Sequence, residues 1–212
     1  MNRTADVVIC GAGISGISAA YFLSKAGIQN ILLVDPRPPL SLTSDKSTEC
    51  YRNWWPDREM LALMNRSIDL MEELTEQSGN VFHMNRRGYL YVTADENKIE
   101  DLKSASLRTS RLGAGELRVH SAETSTYLPA QPEGFRPSPD GADLLIGNEL
   151  IRKYFPYLTK GAVAALHTRR AGWLSAQQLG IYLLETARSR GVRFASAGVS
   201  GVSAGLAAMS LR

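Results

Sequence analysis

The sequence predicts an α/β fold, and three observations lead to that prediction. Residues 6–10 form a short, nearly all-apolar run ending in Gly11, which is typical of a strand buried on both faces of a parallel sheet. A helical pattern follows over about residues 13–26 and stops at Gly27. A second apolar run, Ile31–Val34, completes strand, helix and strand within about 30 residues, the pattern of a βαβ unit.

Composition indicates a globular protein and excludes several classes. Apolar residues make up 44% of the 212 residues and charged residues 21%, so the chain can bury a sizeable core. The net charge is only +3 and the basic residues are scattered, which indicates no nucleic-acid partner. With two cysteines, Cys10 and Cys50, no signal peptide and no apolar run near the roughly 20 residues of a membrane span, we expect a cytoplasmic protein without membrane attachment.

The next segments continue the alternation of helix and strand. Residues 36–57 are polar and begin with prolines, so we expect a long loop outside the carboxyl end of the second strand. An apolar stripe then predicts a helix of about five turns that ends near Gly79. Residues 81–84 and 89–93 predict a β-hairpin, with Gly88 at a positive φ.

The rest of the chain contains fewer clear elements. A helix, a short strand and a short helix are expected up to Tyr127, followed by an exposed Pro- and Gly-rich segment over residues 129–141. A short helix over residues 149–155 should end at Pro156. Ser175 and Gln178 match a capping box, so a helix should begin there and run to about residue 190. Residues 192–195 predict one further strand.

The glycine pattern over residues 11–16 lies between the first strand and its helix, the context in which such a pattern is informative. Gly11 permits a tight turn, Gly13 lets the backbone approach a pyrophosphate, and Gly16 lets the helix pack closely on the strand. Backbone N–H groups at the start of the helix, those of Ile14 and Ser15 among them, would offset the phosphate charge. The pattern therefore predicts a dinucleotide site, with a glycine-rich turn that binds no ligand as the alternative.

Asp35 ends the second strand, where a carboxylate can accept hydrogen bonds from an adenosine ribose. A negative charge at this position would repel a 2′-phosphate, so NADP is not expected. A solvated carboxylate at the start of a loop is the alternative interpretation. The glycines and Asp35 together do not separate FAD from NAD.

Residues 42–52, LTSDKSTECYR, resemble the segment that follows the acidic residue in the D-amino-acid-oxidase family of flavoenzymes, especially its sarcosine-oxidase-like members. In that family a Ser/Thr-rich segment leads to an arginine beside the flavin. By this resemblance the pyrophosphate or flavin of FAD would contact Thr43, Ser44, Lys46, Ser47 and Thr48. Arg52 would face the isoalloxazine ring or a substrate carboxylate, and Val199 would contact adenine through its backbone. Hydroxyls, N–H groups and a cation suit such a ligand.

The resemblance continues in order through nearly the whole chain, in the helix before Gly79 and in residues 87–90, 150–158 and 171–174. It implies a Rossmann-like FAD-binding domain over residues 1–80 and 160–212. A partial α+β substrate domain would be inserted over residues 81–159. Because members of the family run to nearly twice this length, the resemblance also implies an N-terminal half only, as in a truncated form.

The function implied by the resemblance is FAD-dependent oxidation of the C–N bond of an amine or amino acid, in which the flavin takes a hydride equivalent from the carbon beside the nitrogen. Two alternatives stay open. One is a non-catalytic fragment or subunit that needs a partner chain to complete its sheet. The other is an NAD-dependent dehydrogenase, which would require a second nucleotide-binding pattern that is not evident in the sequence.

The remaining polar residues predict no further site. His83, His120 and His167 have no cysteine or carboxylate at metal-ligand spacing, so we expect no metal and ordinary surface or strand positions. Arg169 and Arg170 are interpreted as a solvated pair at the end of a strand. All of the chemistry is therefore expected at the glycine pattern and in the segment after Asp35.

Overall fold

A computed structural model of the protein describes residues 4–122, 125–136, 139–204 and 209–211. The chain forms two compact units. The first comprises the described residues up to Thr48 and from Ser175 onward, and the second spans Glu49–Leu174. The second unit is therefore an insertion in the sequence of the first.

The helices and strands are numbered in chain order. They are β1 (Val7–Cys10), α1 (Ile14–Lys25), β2 (Ile31–Val34), β3 (Cys50–Arg52), α2 (Arg58–Ser78), β4 (Tyr89–Thr93), α3 (Ile99–Thr109), β5 (Leu117–His120), β6 (Ala142–Ile146), α4 (Asn148–Tyr154), β7 (Ala164–Thr168), β8 (Ala171–Trp173), α5 (Ala176–Ser189), β9 (Arg193–Ala195), β10 (Val202–Ala204) and β11 (Met209–Leu211). None of the helices in the described ranges combines the length and the apolar character needed to span a bilayer.

The first unit is built on a parallel sheet with the strand order β1-β2-β9. Helix α1 connects β1 to β2 in the predicted βαβ arrangement, and α5 packs against α1. The buried side of α1 carries Ile17, Ala20 and Tyr21, and the small Ala20 allows close helix packing. Full burial of Ile17 alone contributes about 1.5–3 kcal/mol. The first unit thus confirms the predicted α/β class.

The second unit is built on a mixed four-stranded sheet with the order β4-β7-β6-β5, in which only β5 and β6 run parallel. Successive residues of a strand face opposite sides, so the sheet has a core on each face. Leu144 and Leu166 pack with Trp54 and Leu61 on one face. Leu145 packs with helix α4 and Phe155 on the other.

Helix α2 shows how local signals set the ends of an element. Its N-cap, Asp57, accepts a hydrogen bond from the backbone N–H of Met60 at 2.7 Å, which satisfies one of the donors that a helix start leaves unpaired. Gly79 ends the helix with φ +68, as its position in the sequence predicted.

The predicted hairpin at Gly88 is wrong. Residues 81–84 form no strand, because the side chain of Asn80 bonds both the N–H and the C=O of Met84 and closes this segment as a loop. Strand β4 pairs with β7 instead. Gly88 does have φ +86, but the space it leaves is filled by His167, whose Nε2 would lie 1.8 Å from a Cβ at this position.

Other boundaries also differ from the prediction. The segment 36–57 is not a loop throughout, since it contains β3. The short helix expected before Tyr127 is absent from residues 121–122 and 125–127.

The compact units divide after Thr48 and Leu174, whereas the sequence predicted domain boundaries at 80 and 160. The reason is that β3 pairs with β8 and α2 packs on the mixed sheet, so both flanks belong to the second unit.

Candidate dinucleotide-binding site

In the glycine turn after β1, the backbone geometry requires glycine at two of the three glycine positions. Gly11 has φ +108, a backbone conformation that residues with a side chain rarely adopt. A Cβ on Gly16 would lie 1.9 Å from the carbonyl oxygen of Gly11, so α1 can start against the end of β1 only with glycine there. A Cβ on Gly13 would meet only the Ser44 hydroxyl, at 3.7 Å. Gly13 therefore leaves open space in front of the helix.

The amino end of α1 presents backbone donors. Gly13 is the N-cap and supplies no side chain, and the N–H of Ile14 donates to Ser44 Oγ at 3.1 Å. Among the described residues, none accepts a hydrogen bond from the N–H of Gly13 or of Ser15. A twelve-residue helix with unpaired donors at its positive end is suited to an anion.

Asp35 lies beside this turn and is 9% exposed. Its Oδ2 accepts the N–H of Ala12 at 2.9 Å, and its Oδ1 accepts the N–H of Arg37 at 2.9 Å. These two backbone hydrogen bonds lower the pKa of Asp35 below its usual value and keep the carboxylate ionised, and the bond from Ala12 has the larger effect. Since a carboxylate has about four acceptor positions, two remain for further donors.

Two cavities adjoin these groups within the first unit. One, of about 200 Å³, is lined by Asp35, the glycine turn and residues of the following loop. The other, of about 490 Å³, extends along the start of α1. Together they are lined by predicted contact residues Gly11, Gly13, Ile14, Ser15, Gly16, Asp35, Thr43, Ser44 and Ser47. The remaining predicted contacts of this unit, Lys46, Thr48 and Val199, line neither cavity.

Arg52 belongs to the second unit, in β3. Its guanidinium carbon lies 4.2 Å from the ring centroid of Trp55 and 5.2 Å from that of Tyr89. Its Nε is buried without a hydrogen-bond partner among the described residues. The side chain is therefore a cation held by aromatic rings with a donor still unused.

A buried charged cluster that the sequence did not predict surrounds Asp143 on β6. Asp143 itself is 1% exposed. Its Oδ1 accepts from Arg118 Nε at 2.7 Å and contacts His120 Nε2 at 2.8 Å. Its Oδ2 accepts from Arg118 Nη2 at 3.0 Å and from Arg169 Nε. Burial raises the pKa of Asp143, but the hydrogen bonds from Arg118 and His120 and the charge of Arg169 outweigh burial and hold that pKa at about 2.

His167 and Tyr127 lie next to this cluster. His167 Nε2 is 2.8 Å from the carbonyl oxygen of Arg87, so Nε2 carries the proton and Nδ1 accepts from the Tyr127 hydroxyl at 2.9 Å. Burial, assisted by the charge of Arg169, lowers the pKa of His167 to about 4. His167 is therefore neutral at physiological pH.

His120 and His167 lie on strands and His83 is exposed, as expected, but the interpretation of Arg169 and Arg170 as a solvated pair is wrong. Arg169 is buried against Asp143, and Arg170 donates to Asp69 at 2.6 Å and to Glu72 at 3.1 Å. The available signal was the alternation of Arg118 and His120 along β5 and the single aspartate in the otherwise apolar β6. No group of three or more potential metal ligands occurs in the described part of the chain.

The chain matches a protein-family model and a curated protein. The family model described as FAD dependent oxidoreductase (DAO) matches residues 6–208. Mitochondrial dimethylglycine dehydrogenase of Rattus norvegicus is 26% identical over 106 residues, which cover 50% of this chain and 12% of that protein.

Solved structures resemble the chain over nearly its full length. L-proline dehydrogenase from P. horikoshii matches with a TM-score of 0.77 and 18% identity, over 99% of this chain and 48% of that chain. L-alpha-glycerophosphate oxidase from Mycoplasma pneumoniae, with FAD bound, matches with a TM-score of 0.76 and 18% identity, over 99% of this chain and 50% of that chain. The chain thus has the same fold as these proteins and spans about half of their length.

Proposed function

Because the chain belongs to the DAO family of FAD dependent oxidoreductases, we propose that its first unit binds FAD and that the protein acts in the oxidation of an amine or amino acid at its C–N bond. One observation carries the proposal. The N–H groups at the amino end of α1 that find no acceptor within the described residues, and the ionised carboxylate of Asp35, border adjoining cavities that Gly13 keeps open.

The residues present fit the two polar parts of FAD. The N–H groups of Gly13 and Ser15 and the hydroxyl of Ser44 would hold the pyrophosphate. The two unused acceptor positions of Asp35 would receive the hydroxyls of the adenosine ribose, and its charge disfavours a 2′-phosphate. When bound, FAD supplies the ring that accepts the hydride equivalent. The remaining contacts proposed by resemblance are Thr43, Lys46, Ser47, Thr48 and Val199.

The substrate class is inferred from the relatives. Dimethylglycine dehydrogenase and L-proline dehydrogenase are named for substrates that carry an amine nitrogen and a carboxylate. A carboxylate requires a cation, and Arg52 offers one with an unused donor and aromatic neighbours. We therefore assign Arg52 to the flavin ring or to the substrate carboxylate.

A second candidate function is a subunit or segment that works with a partner chain. It is favoured by the edge position of β4 in the mixed sheet, because an edge strand offers unpaired backbone groups to another strand. The cytoplasmic location predicted from cysteine usage stays a prediction.

The cofactor proposal is tested by titrating the purified chain with FAD and following flavin fluorescence and visible absorbance. Saturable binding of FAD is expected. Asp35→Asn should weaken FAD binding by about 10- to 100-fold, the range for hydrogen bonds to a charged group. The control is Asp6→Asn, an exposed aspartate of the same unit. Equal affinities of the two variants would remove Asp35 from the site, and a chain that binds no flavin would overturn the proposal.

The substrate proposal is tested on the flavin-loaded chain without oxygen. Addition of L-proline or dimethylglycine should bleach the visible flavin band, whereas a carboxylic acid without an amine should not. Arg52→Lys, which keeps the charge but loses the planar donor set, should raise the substrate concentration at half-maximal bleaching.

A further inference from the structure

Leu40 is a buried leucine in a backbone conformation that residues with a side chain rarely adopt. It is 3% exposed and has φ +64. Its N–H donates to the carbonyl oxygen of Ala12, inside the glycine turn, at 2.9 Å. A bulky residue at positive φ persists only where its surroundings hold it, and such residues cluster at ligand sites.

Helix α5 holds Leu40 in place. A Cβ on Gly180 would lie 2.5 Å and 2.6 Å from the two Cδ atoms of Leu40, so only glycine lets the helix approach this side chain so closely. Three residues earlier, on the same face of the helix, Gln177 Nε2 donates to the carbonyl oxygen of Leu40 at 3.2 Å and to Asp45 Oδ1 at 3.0 Å.

The segment between these two anchors carries the hydroxyl at the helix start. Leu40 and Asp45 flank Ser44, whose Oγ accepts the N–H of Ile14 at 3.1 Å. A short 3₁₀ turn, Thr43–Asp45, connects the hydroxyl to the Gln177 contact. Any shift of residues 40–45 would therefore move Ser44 relative to the amino end of α1.

We propose that Gln177 and Gly180 are positioning residues of the dinucleotide site. They fix Leu40 in its left-handed conformation and so set the place of the Ser44 hydroxyl in front of α1. Neither residue lines the two cavities, so both act through the segment 40–45. The inference rests on the proposed function, because it assigns further residues to the same cofactor site.

The first test compares Gln177→Ala with Gln178→Ala. Gln178 is the exposed neighbour in the same helix, and its side chain makes no hydrogen bond within the described residues. Gln177→Ala should speed amide hydrogen exchange at Ile14 and Leu40 in the cofactor-free protein and weaken FAD binding about threefold to tenfold. Gln178→Ala should change neither quantity. Unchanged exchange in Gln177→Ala would overturn the proposal.

The second test is a double-mutant cycle between positions 180 and 40. Gly180→Ala alone should weaken FAD binding about tenfold, because the new methyl group displaces the Leu40 side chain. In a Leu40→Ala background the same substitution should have little effect, since the atoms that it would displace are gone. Equal effects of Gly180→Ala in both backgrounds would contradict the proposal.

The outcomes separate this inference from the proposed function. If the unaltered chain binds no FAD, the proposed function fails, and the exchange rates at Ile14 and Leu40 still decide whether α5 positions the segment. If the unaltered chain binds FAD and exchange at Ile14 and Leu40 is unchanged in the Gln177 variant, only the inference fails. Circular dichroism spectra of all variants identify any that do not fold, and the Gln177 pair then decides.

Discussion

Each unit of the protein buries an aspartate, and the two carboxylates are used in different ways. Asp35 accepts hydrogen bonds from two backbone N–H groups, which leaves acceptor positions unused beside a cavity. Asp143 makes four contacts with side chains of two arginines and a histidine, which fill all of its acceptor positions. The difference teaches that a lowered pKa does not distinguish the two carboxylates, whereas unused acceptor positions beside a cavity do.

The largest effect is expected from Asp143→Ala. The substitution leaves Arg118 and Arg169 without their shared counter-charge, and an unpaired buried charge costs about 3–5 kcal/mol. Asp35→Ala leaves two N–H groups without an acceptor and should cost less, about 1–3 kcal/mol. Urea unfolding of both variants measures the two losses. A smaller loss for Asp143→Ala than for Asp35→Ala would reverse the comparison.

Acid should destabilise the second unit in two separate pH windows. The folded-state pKa of His167 is about 4 against an ordinary 6.5, so between pH 6.5 and 4 only the unfolded chain takes up this proton. Stability should fall by roughly 3 kcal/mol across that window. Asp143, with a folded-state pKa of about 2 against 3.8, adds a loss of roughly 2 kcal/mol as pH falls from about 4 to 2.

Free energies of unfolding at pH 7, 5 and 3 check the two windows. His167→Gln should remove the decline between pH 6.5 and 4 while keeping the decline below pH 4. The control, His83→Gln at an exposed position, should keep both declines. If His83→Gln also lost the decline in stability between pH 6.5 and 4, that decline could not be assigned to His167.

The two helix-start glycines should separate folding from binding. Gly16→Ala forces a methyl group against the Gly11 carbonyl and should cost about 1–3 kcal/mol in the cofactor-free protein. Gly13→Ala meets only Ser44 Oγ and should change that stability by less than about 0.5 kcal/mol. It should nevertheless weaken FAD binding by about tenfold or more, because the methyl group enters the cavity. Thermal unfolding measures the stability of the two variants, and FAD titration measures their affinity. An unchanged FAD affinity in Gly13→Ala would contradict the placement of the cofactor at the start of α1.

The smallest effect is expected from Arg136→Ala. Arg136 Nη2 lies 2.9 Å from Glu76 Oε1, a distance similar to those around Asp143, but both side chains are more than half exposed. The free energy of unfolding should change by less than about 0.5 kcal/mol. A loss above 2 kcal/mol in the same urea experiment would show that distance, rather than burial, sets the value of these ion pairs.

The first unit could be predicted from sequence because its signals are local. Strand, glycine turn and helix follow one another along the chain, and the ends of α1 and α5 lie within one or two residues of the predicted ends. The prediction failed where partners are distant. Strand β4 pairs with β7, not with the nearby residues 81–84, and Arg169 is buried by a partner on another strand.

The candidate site was predicted only in part for the same reason. The glycines and Asp35 have sequence signatures, since each occupies a fixed place in a βαβ unit. A leucine at positive φ has none, and neither does a glutamine that reaches from α5 to residues 40–45. Leu40, Gln177 and Gly180 therefore emerge only once the loop and the helix are placed together.

The pairing of β3 with β8 has a consequence for how the protein folds. In the first unit, Leu32 on β2 pairs with Arg193 on β9, and the whole inserted segment lies between them in the sequence. Closing so long a loop is entropically unfavourable while the inserted segment is unfolded. Within the insertion, Cys50 pairs with Trp173, so a folded second unit brings its own entry and exit points side by side. Once the second unit has folded, the effective loop between β2 and β9 is therefore much shorter, and pairing these strands costs less entropy. Pulse-labelling during refolding should find β6 and β7 protected before β9 joins its sheet.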